Sequence, residues 1–451
     1  MNIYPVFWNT IEIPSLLPPK TNQGSTLMKD ESITYRDIIF IFLLAIGARY
    51  AFMLFSGVDS YAMPDWARYD RQSDGILAGN FNLEESLFIT APLYSYVIAA
   101  LKFSFGNNYH SVVAGLQITL SAISVVYLAL TAQTIFSERR ISLLTGVGFA
   151  IYPITLYYTH QYGQESIFQS LLIISLYYYS RLLKNGSLSS LVQFAIVFSL
   201  ALLTKSHIIL MLPLLMLSLL VKYGLNKNSL TQVGAVVVIV FLITLPYGIY
   251  NKIANGTYII SSSGLGGHFV TGHNDDFYNY VVNPPLLGST EHTRLKSMNF
   301  DVLARLAPEL SGMTHQQKQA RYLQEGLRWS IENPEKLFIL SWHNLINFLR
   351  PGPSRDHQPF KPWLIALILS APVFLLAYFE IVRRLHSDFR SHLLICSLFI
   401  GMLIFSLGFY TQNRFRVVTI EPYYLMYACS GLMYLINRRR AQASVAGTRL
   451  S

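Results

Sequence analysis

MPDWARYDRQSDGILAGNFNLEESLFITAPLYSY, residues 63–96, follows directly on the first hydrophobic run of the chain and holds most of an acidic cluster. Charge set just beyond a membrane span needs a partner or a task. Pro64 and Asp65 suit the first turn of a helix and Gly79 suits its end, while Trp66, Tyr69, Ile76 and Leu77 fall on one stripe at helical spacing. The segment reads as a short amphipathic helix lying in the membrane interface, with Asp65 at its positive N-terminal end. That position keeps the carboxylate ionised, the form a general base requires.

The rest of the chain supplies the membrane. Of 451 residues, 52% are hydrophobic and only 13% charged, against roughly 25% charged in a soluble domain. A net charge of +10 does not argue for nucleic acid, because the basic residues lie in short clusters between apolar runs and not over one surface. They read as cytoplasmic anchors. Cys396 and Cys429 both fall inside apolar runs, where packing accounts for them better than a disulfide or a metal site.

A span needs about 20 apolar residues, and ten runs approach that length: 37–55, 112–134, 141–160, 165–182, 187–204, 206–222, 229–249, 361–383, 392–410 and 421–437. With a cytoplasmic N-terminus, Lys29 and Arg36, Arg139 and Arg140, Arg181 and Lys184, Lys222 and Lys227, the Arg383 to Arg390 loop and Arg438 to Arg440 all fall inside. One orientation satisfies every cluster and makes both termini cytoplasmic. Residues 91–106 are apolar but too short for a full crossing, and counting them as one would turn the Glu138 to Arg140 cluster outward. They are expected to form a re-entrant or interfacial helix.

The organisation that follows is a cytoplasmic extension 1–36, a membrane module 37–249 with a first outer loop 56–111, an outer-face segment 250–360, C-terminal spans 361–437 and a cytoplasmic tail 438–451. The extension carries Pro5, Pro14, Pro18 and Pro19 and no apolar run of signal-peptide length. Met1 and Met28 both stand as starts.

Polar residues gather at the outer ends of spans. His160, Gln161, Gln164 and Glu165 lie at one turn, and Lys205 and His207 at the next. Snorkelling suits Lys205 as well as a functional role does, but an acid opening an apolar run, as Glu165 does, needs a partner or a task. In the outer segment, Gly264, Gly266, Gly267 and Gly272 permit close backbone approach to a ligand. His268, His273, Asp275 and Asp276 could bind a divalent ion, although their spacing also suits a solvated loop. Residues 313–350 read as helical with a break at Asn333 and Pro334, and LFILSWHNLINFL, residues 337–349, as a helix along the outer interface. Near the end, Arg414 and Arg416 defy the inward bias of the other clusters and invite a phosphate.

Acids for proton abstraction beside cations for an anionic leaving group suit group transfer from a phosphate-linked donor. Asp65 and Glu165 supply the acids, and Lys205, Arg414 and Arg416 the cations. A donor reached from outside the cell is a lipid-borne phosphate and not a cytosolic nucleotide sugar. A lipid or sugar transporter or flippase would carry charge near mid-membrane and inverted repeats, which are not seen. A polysaccharide polymerase or ligase would lean on Arg and His in later loops, and a purely structural protein would leave the acidic face solvated.

At this point the chain resembles a known family. Asp65 with Tyr69 and Gly79, APLYSYVIAALKFSFG, Pro153 followed by Glu165, LTKSHIILMLP, ISSSGLGGHFVTGHND, ENPEKLF and RFRVVTIEPYY occur in order over residues 37–437. In that order they are similar to the bacterial membrane glycosyltransferases of the GT-C superfamily, related to protein O-mannosyltransferases and to the aminoarabinose transferase acting on lipid A. The resemblance implies an all-α polytopic bundle of about ten spans, juxtamembrane helices in the first outer loop and a mixed outer segment. It implies residence in the bacterial plasma membrane, a polyprenyl-phosphate sugar donor, and a lipid, glycan or protein acceptor. Asp65 is then the essential acid, with Asp59 second, and Glu165 the second acid. The donor phosphate falls to Lys205, Arg414 and Arg416, because Ile89, Thr90 and Ala91 stand where some relatives place a base. Substrate binding falls to Tyr69, His268, His273 and Asn274. Some relatives bind a divalent metal, which this sequence neither requires nor confirms.

Overall fold

A computed structural model describes residues 32–61, 65–85, 87–297, 300–352, 359–409 and 413–448. Most of the 1–36 extension, with Met28, lies outside these residues, as do Pro64 and the end of the 438–451 tail. The chain runs through α1 (Tyr35–Phe55), α2 (Asp65–Leu77), α3 (Pro92–Phe105), α4 (Tyr109–Phe136), α5 (Arg139–Ala150), α6 (Pro153–His160) and α7 (Gln164–Asn185). It continues through α8 (Leu188–Leu202), α9 (Met211–Tyr223), α10 (Lys227–Asn255), α11 (Leu265–Gly272), α12 (Asp275–Val282), α13 (Thr290–Lys296) and α14 (Asp301–Leu306). The last six helices are α15 (His315–Glu332), α16 (Pro334–Leu349), α17 (Phe360–Asp388), α18 (Leu393–Gly408), α19 (Asn413–Thr419) and α20 (Glu421–Thr448).

The predicted interfacial helix forms as α2, and Gly79 just beyond it adopts φ +84°, a conformation that costs little only at glycine. The face it buries is more polar than the stripe predicted. Tyr69, Gln72 and Ser73 are buried, while Leu77 stays exposed. Gln72 explains this, since its amide bonds to Thr90, Glu85 and Ser95 and ties α2 to α3 through a polar seam.

Each of the ten apolar runs becomes helix, yet a count of ten spans is not reached on length and apolarity. Among the described residues, five segments suffice to cross a membrane: α1, Pro92–Phe136, Ser206–Tyr223, α10 and Trp363–Ser391. A sixth is added if α5 and α6, bent by 48° at their junction, count as one. Helices α8 and α18 are apolar but short. Helices α7 and α20 are long but less apolar for a different reason: most of α7, and every residue from Glu421 to Gly431, is buried against other helices. Their walls are protein and not lipid, so tyrosine and serine are tolerated there. Helix α3 has 14 residues, about 21 Å of helix, which by itself is short of the hydrocarbon core as expected.

Two polar ends define the bundle. At one, a capping box joins Thr34 and Asp37, and Arg139 grips both Asp37 oxygens at 2.8 and 2.9 Å. The basic clusters near residues 184 and 383 lie toward this end, where Lys184 meets the α4 carbonyl of Thr134 and Arg384 stands over Phe136. Asp65, Glu165 and Lys205 meet at the opposite end, as the alternation of charge along the chain requires.

The segment 250–352 is helical, not mixed. Among the described residues its extended pairing is the single isolated bridge of Ser263 with Ile89, which itself bridges to Glu84 within the first outer loop. The expected break at Asn333 separates α15 from α16. Gly266 and Gly267 do need close backbone approach, but to the protein itself. A Cβ on Gly266 would overlap the carbonyl oxygen of Gln319, and one on Gly267 that of Leu87. The glycine run is a packing device that presses α11 between α15 and the strand-like stretch before α3.

Candidate active site

Four of the five charged residues singled out in the sequence converge. Asp65 opens α2, Glu165 stands in the first turn of α7, Lys205 follows the end of α8, and Arg414 lies in the first turn of α19. Lys205 Nζ donates to Glu165 Oε1 at 2.8 Å, and Arg414 Nη1 donates to Asp65 Oδ2 at 2.5 Å. The same Arg414 nitrogen stands 3.7 Å from Glu165 Oε1. Arg414 therefore bridges the two acids.

Burial decides how strongly these charges interact. The side chains of Glu165 and Lys205 are 1% and 4% exposed, while Asp65 and Arg414 keep 17% and 23%. A buried ion pair holds only if both charges are matched, and two aromatic rings flank the cation. Lys205 Nζ sits 4.9 Å from the ring centre of Phe415 and 5.8 Å from that of Phe168. Glu165 Oε2 is buried with no hydrogen-bond partner, and Gly163 makes room for it, since a Cβ there would lie 2.8 Å away. An orphaned carboxylate oxygen in a closed site is costly, which marks Glu165 as a group held ready for something else.

Arg68 belongs to this cluster and was missed in the sequence. One turn along α2, its Nη2 lies 3.2 Å from Asp65 Oδ1 and donates to the Tyr69 hydroxyl at 3.2 Å. Its guanidinium stands 5.2 Å from the ring of Phe88, beside the 89–91 stretch that lacks a base. The i,i+3 spacing from Asp65 was the available signal. Burial raises the carboxyl pKa of Asp65, but Arg414 and Arg68 outweigh it and hold the group below its ordinary value. It is ionised at neutral pH.

His268 also reaches the cluster. Its ring stacks on Phe88 with centroids 5.3 Å apart, and burial, reinforced by Arg414 and Arg68, pushes its pKa down to about 4. It is a neutral imidazole. Tyr69 is buried with its ring edge-on to Tyr94, and burial raises its phenol pKa.

The other expected residues lie elsewhere. Arg416 is 2% exposed and turned away: Nε bonds Glu421 at 2.9 Å, and Nη1 takes the carbonyls of Asn347, Phe348 and Arg350. It fastens α19 and α20 to the end of α16. His273 is spent on the carbonyl of Phe269 and Asn274 caps α12. Asp59 is exposed and bonds its own turn at Tyr61 N. As a divalent-metal site the arrangement fits poorly, because Arg414 fills the space between the two acids. No group of three His, Cys, Asp or Glu side chains placed to hold a metal ion occurs among the described residues.

An all-helical membrane bundle of this kind has counterparts among known proteins. The sequence profile of the dolichyl-phosphate-mannose-protein mannosyltransferase family matches residues 90–250, from α3 to α10. Among solved structures, the oligosaccharyltransferase of Archaeoglobus fulgidus in the apo form superposes with a TM-score of 0.54 at 13% identity, over 92% of this chain and 52% of that one. Its complex with zinc and sulfate gives 0.53 at 12% identity, over 91% and 50%. This chain thus spans about half the length of the oligosaccharyltransferase. ArnT from Cupriavidus metallidurans bound to undecaprenyl phosphate is more distant, with a TM-score of 0.38 at 13% identity over 83% and 77% of the two chains. No curated protein matches the sequence significantly.

Proposed function

We propose that the protein is a membrane glycosyltransferase that moves a sugar from a polyprenyl-phosphate carrier to a lipid, glycan or protein acceptor. The observation that carries this reading is the convergence of Asp65, Glu165, Lys205, Arg68 and Arg414 at one end of a GT-C fold. The partial match to a family named for dolichyl-phosphate-mannose supports the donor class. Charge at the span ends, and not at mid-membrane, weighs against a transporter.

In this reading the acceptor oxygen attacks the anomeric carbon, the bond from that carbon to the phosphate oxygen breaks, and its electron pair leaves with the polyprenyl phosphate. Asp65 takes the acceptor proton. Arg414, Lys205 and Arg68 stabilise the charge gathering on the leaving phosphate. The donor phosphate competes with Asp65 for Arg414. Taking that guanidinium raises the Asp65 pKa and turns a well-paired carboxylate into a better base. Glu165 holds Lys205 and Arg414 in place from below. Neutral His268 is suited to hydrogen-bond a sugar hydroxyl without adding charge, and Tyr69 shapes the wall beside Asp65. His273 and Asn274 act at most by fixing α11 and α12, and Arg416 by fixing α19. No step runs through a metal.

The basic clusters at the Asp37 end support a cytoplasmic location for that end and for both termini, and with it a reaction on the outer face of a bacterial plasma membrane. The same topology supports a division into 37–249, 250–360 and 361–437. Purified protein in lipid, offered a panel of polyprenyl-phosphate monosaccharides, should release polyprenyl phosphate with at least one. Asp65→Asn should abolish that release while inserting normally. Full activity in the variant would sink the reading.

A further inference from the structure

Helix α16 starts in the 250–352 segment and ends deep inside the bundle. At its first turn, Lys336 Nζ meets Asp275 Oδ1 at 2.7 Å. At its last, Phe348 packs on Phe399 of α18 with ring centres 5.3 Å apart, and the Leu349 carbonyl accepts from the Tyr378 hydroxyl of α17 at 2.7 Å. Helix rise gives the depth. Phe405 of α18 packs on His207, whose other neighbours Phe168 and Phe415 are the rings beside Lys205, and Phe399 lies about 9 Å further toward the Asp37 end. The polar level at that end is marked by Arg384 and His392, both packed on Phe136, and α18 climbs about 10 Å from His392 to Phe399. In a hydrocarbon core of roughly 30 Å, α16 stops near the middle. The chain then turns back, since Gly352 approaches Ser370 and Ala366 of α17, and α17 opens at Phe360, about 36 Å from Arg384.

We propose that α16 is a re-entrant helix whose Phe338, Trp342 and Ile346 face the hydrocarbon chains of the bilayer. These three residues are exposed and stand one turn apart, away from the buried Leu340, Asn344 and Phe348. No Asp, Glu, Lys or Arg occurs from Leu337 to Leu349. A helix end in water leaves its last carbonyls to solvent. Here Arg416 Nη1 takes those of Asn347, Phe348 and Arg350, and Tyr378 takes that of Leu349, as a backbone end placed beyond the reach of water requires. The return runs against the segment Trp363–Ser391, itself long and apolar enough to cross a membrane. A soluble partner would reach the first turn of α16 but not Ile346, about 12 Å further along the helix. A helix lying flat in the interface, as the sequence alone suggests, would keep both turns at one depth. Nothing in this seating depends on the reaction catalysed, yet Arg416 ties it to α19, the helix that carries Arg414.

Fluorescent labels on Phe338→Cys and Ile346→Cys, in the full chain reconstituted into phosphatidylcholine vesicles, test this. The parent protein, with its own Cys396 and Cys429, serves as the labelling blank. Both labels should be quenched by doxyl lipids and shielded from iodide, and the label at position 346 should lie about 8 to 12 Å deeper than the one at 338. Should Ile346→Cys fail to fold, a label on Trp342→Cys should lie about 4 to 6 Å deeper than the one at 338. Equal depths would mean that α16 lies flat. Iodide quenching at position 346 would mean that the stripe meets water, and protection from both quenchers that another protein surface covers it. Each of these three results would overturn the proposal.

Discussion

Arg414 Nη1 lies 2.5 Å from Asp65 Oδ2, although 349 positions separate the two residues in the chain. The pair joins the first helix after α1 to α19, the short helix before the last long one, beside Glu165 and Lys205. If the guanidinium serves the leaving phosphate, removing it costs transition-state stabilisation. Arg414→Ala should lower kcat by about 10² to 10³, the scale found for losing one preorganised donor. Arg414→Lys should recover part of this, because a point charge replaces a fork. Steady-state release of polyprenyl phosphate measures both, and an unchanged kcat in the alanine variant removes Arg414 from the chemistry.

Glu165 and Lys205 form a buried pair, so removing one partner strands the other. Lys205→Met alone should destabilise the protein by about 3 to 5 kcal/mol. The double variant Glu165→Gln with Lys205→Met should regain most of that stability, since two neutral groups then share the site. It should not regain transfer. Thermal unfolding in detergent with a parallel transfer assay separates the two roles, and a double variant that transfers normally would show the pair to be structural only.

Arg416→Ala should behave differently from Arg414→Ala. Arg416 satisfies Glu421 and three carbonyls within the protein, so its loss leaves a buried carboxylate and unbonded oxygens. The expected result is a lower unfolding temperature with little change in the KM for donor among the molecules that remain folded. A raised donor KM without loss of stability would return Arg416 to the phosphate site.

His268 predicts a pH dependence of stability. Its folded pKa is about 4 and its unfolded value about 6.5, so the unfolded chain binds the proton more readily. Stability should therefore be full above about pH 6.5 and fall as pH drops toward 4, with a slope from this residue of at most about 1.4 kcal/mol per unit. His268→Gln should flatten that slope relative to the parent protein. Parallel slopes in melting experiments from pH 4 to 7 would show that other groups carry the effect.

Gly266→Ala should fail to assemble the segment around α11, because the added methyl overlaps the Gln319 carbonyl oxygen. Gly234→Ala, which meets nothing within 4 Å, should be neutral or slightly stabilising through helix propensity. Limited proteolysis of the two variants distinguishes them, and equal protection would refute the packing role of Gly266.

Local pattern alone determined the helices of the apolar runs and α2, but not α11 to α14 of the outer segment. The apolar runs, the break at Asn333 and the start of α2 at Asp65 each follow from periodicity, capping and proline chemistry acting over a few residues, and all are read without knowing any neighbour. Alternating charge likewise determined that Asp65, Glu165 and Lys205 share one end of the bundle. Partner choice needed the tertiary structure. Arg414 and Arg416 are two residues apart and alike in sequence, yet one bridges Asp65 and Glu165 while the other is consumed by Glu421 and the end of α16. Gly266 and Gly267 announced close approach but not to what, and α7 and α20 fell short as lipid-facing spans because their neighbours are helices. Arg68 escaped notice for the same reason. A side chain's role at a site depends on which groups across the fold compete for it, and that competition is decided only when distant segments pack.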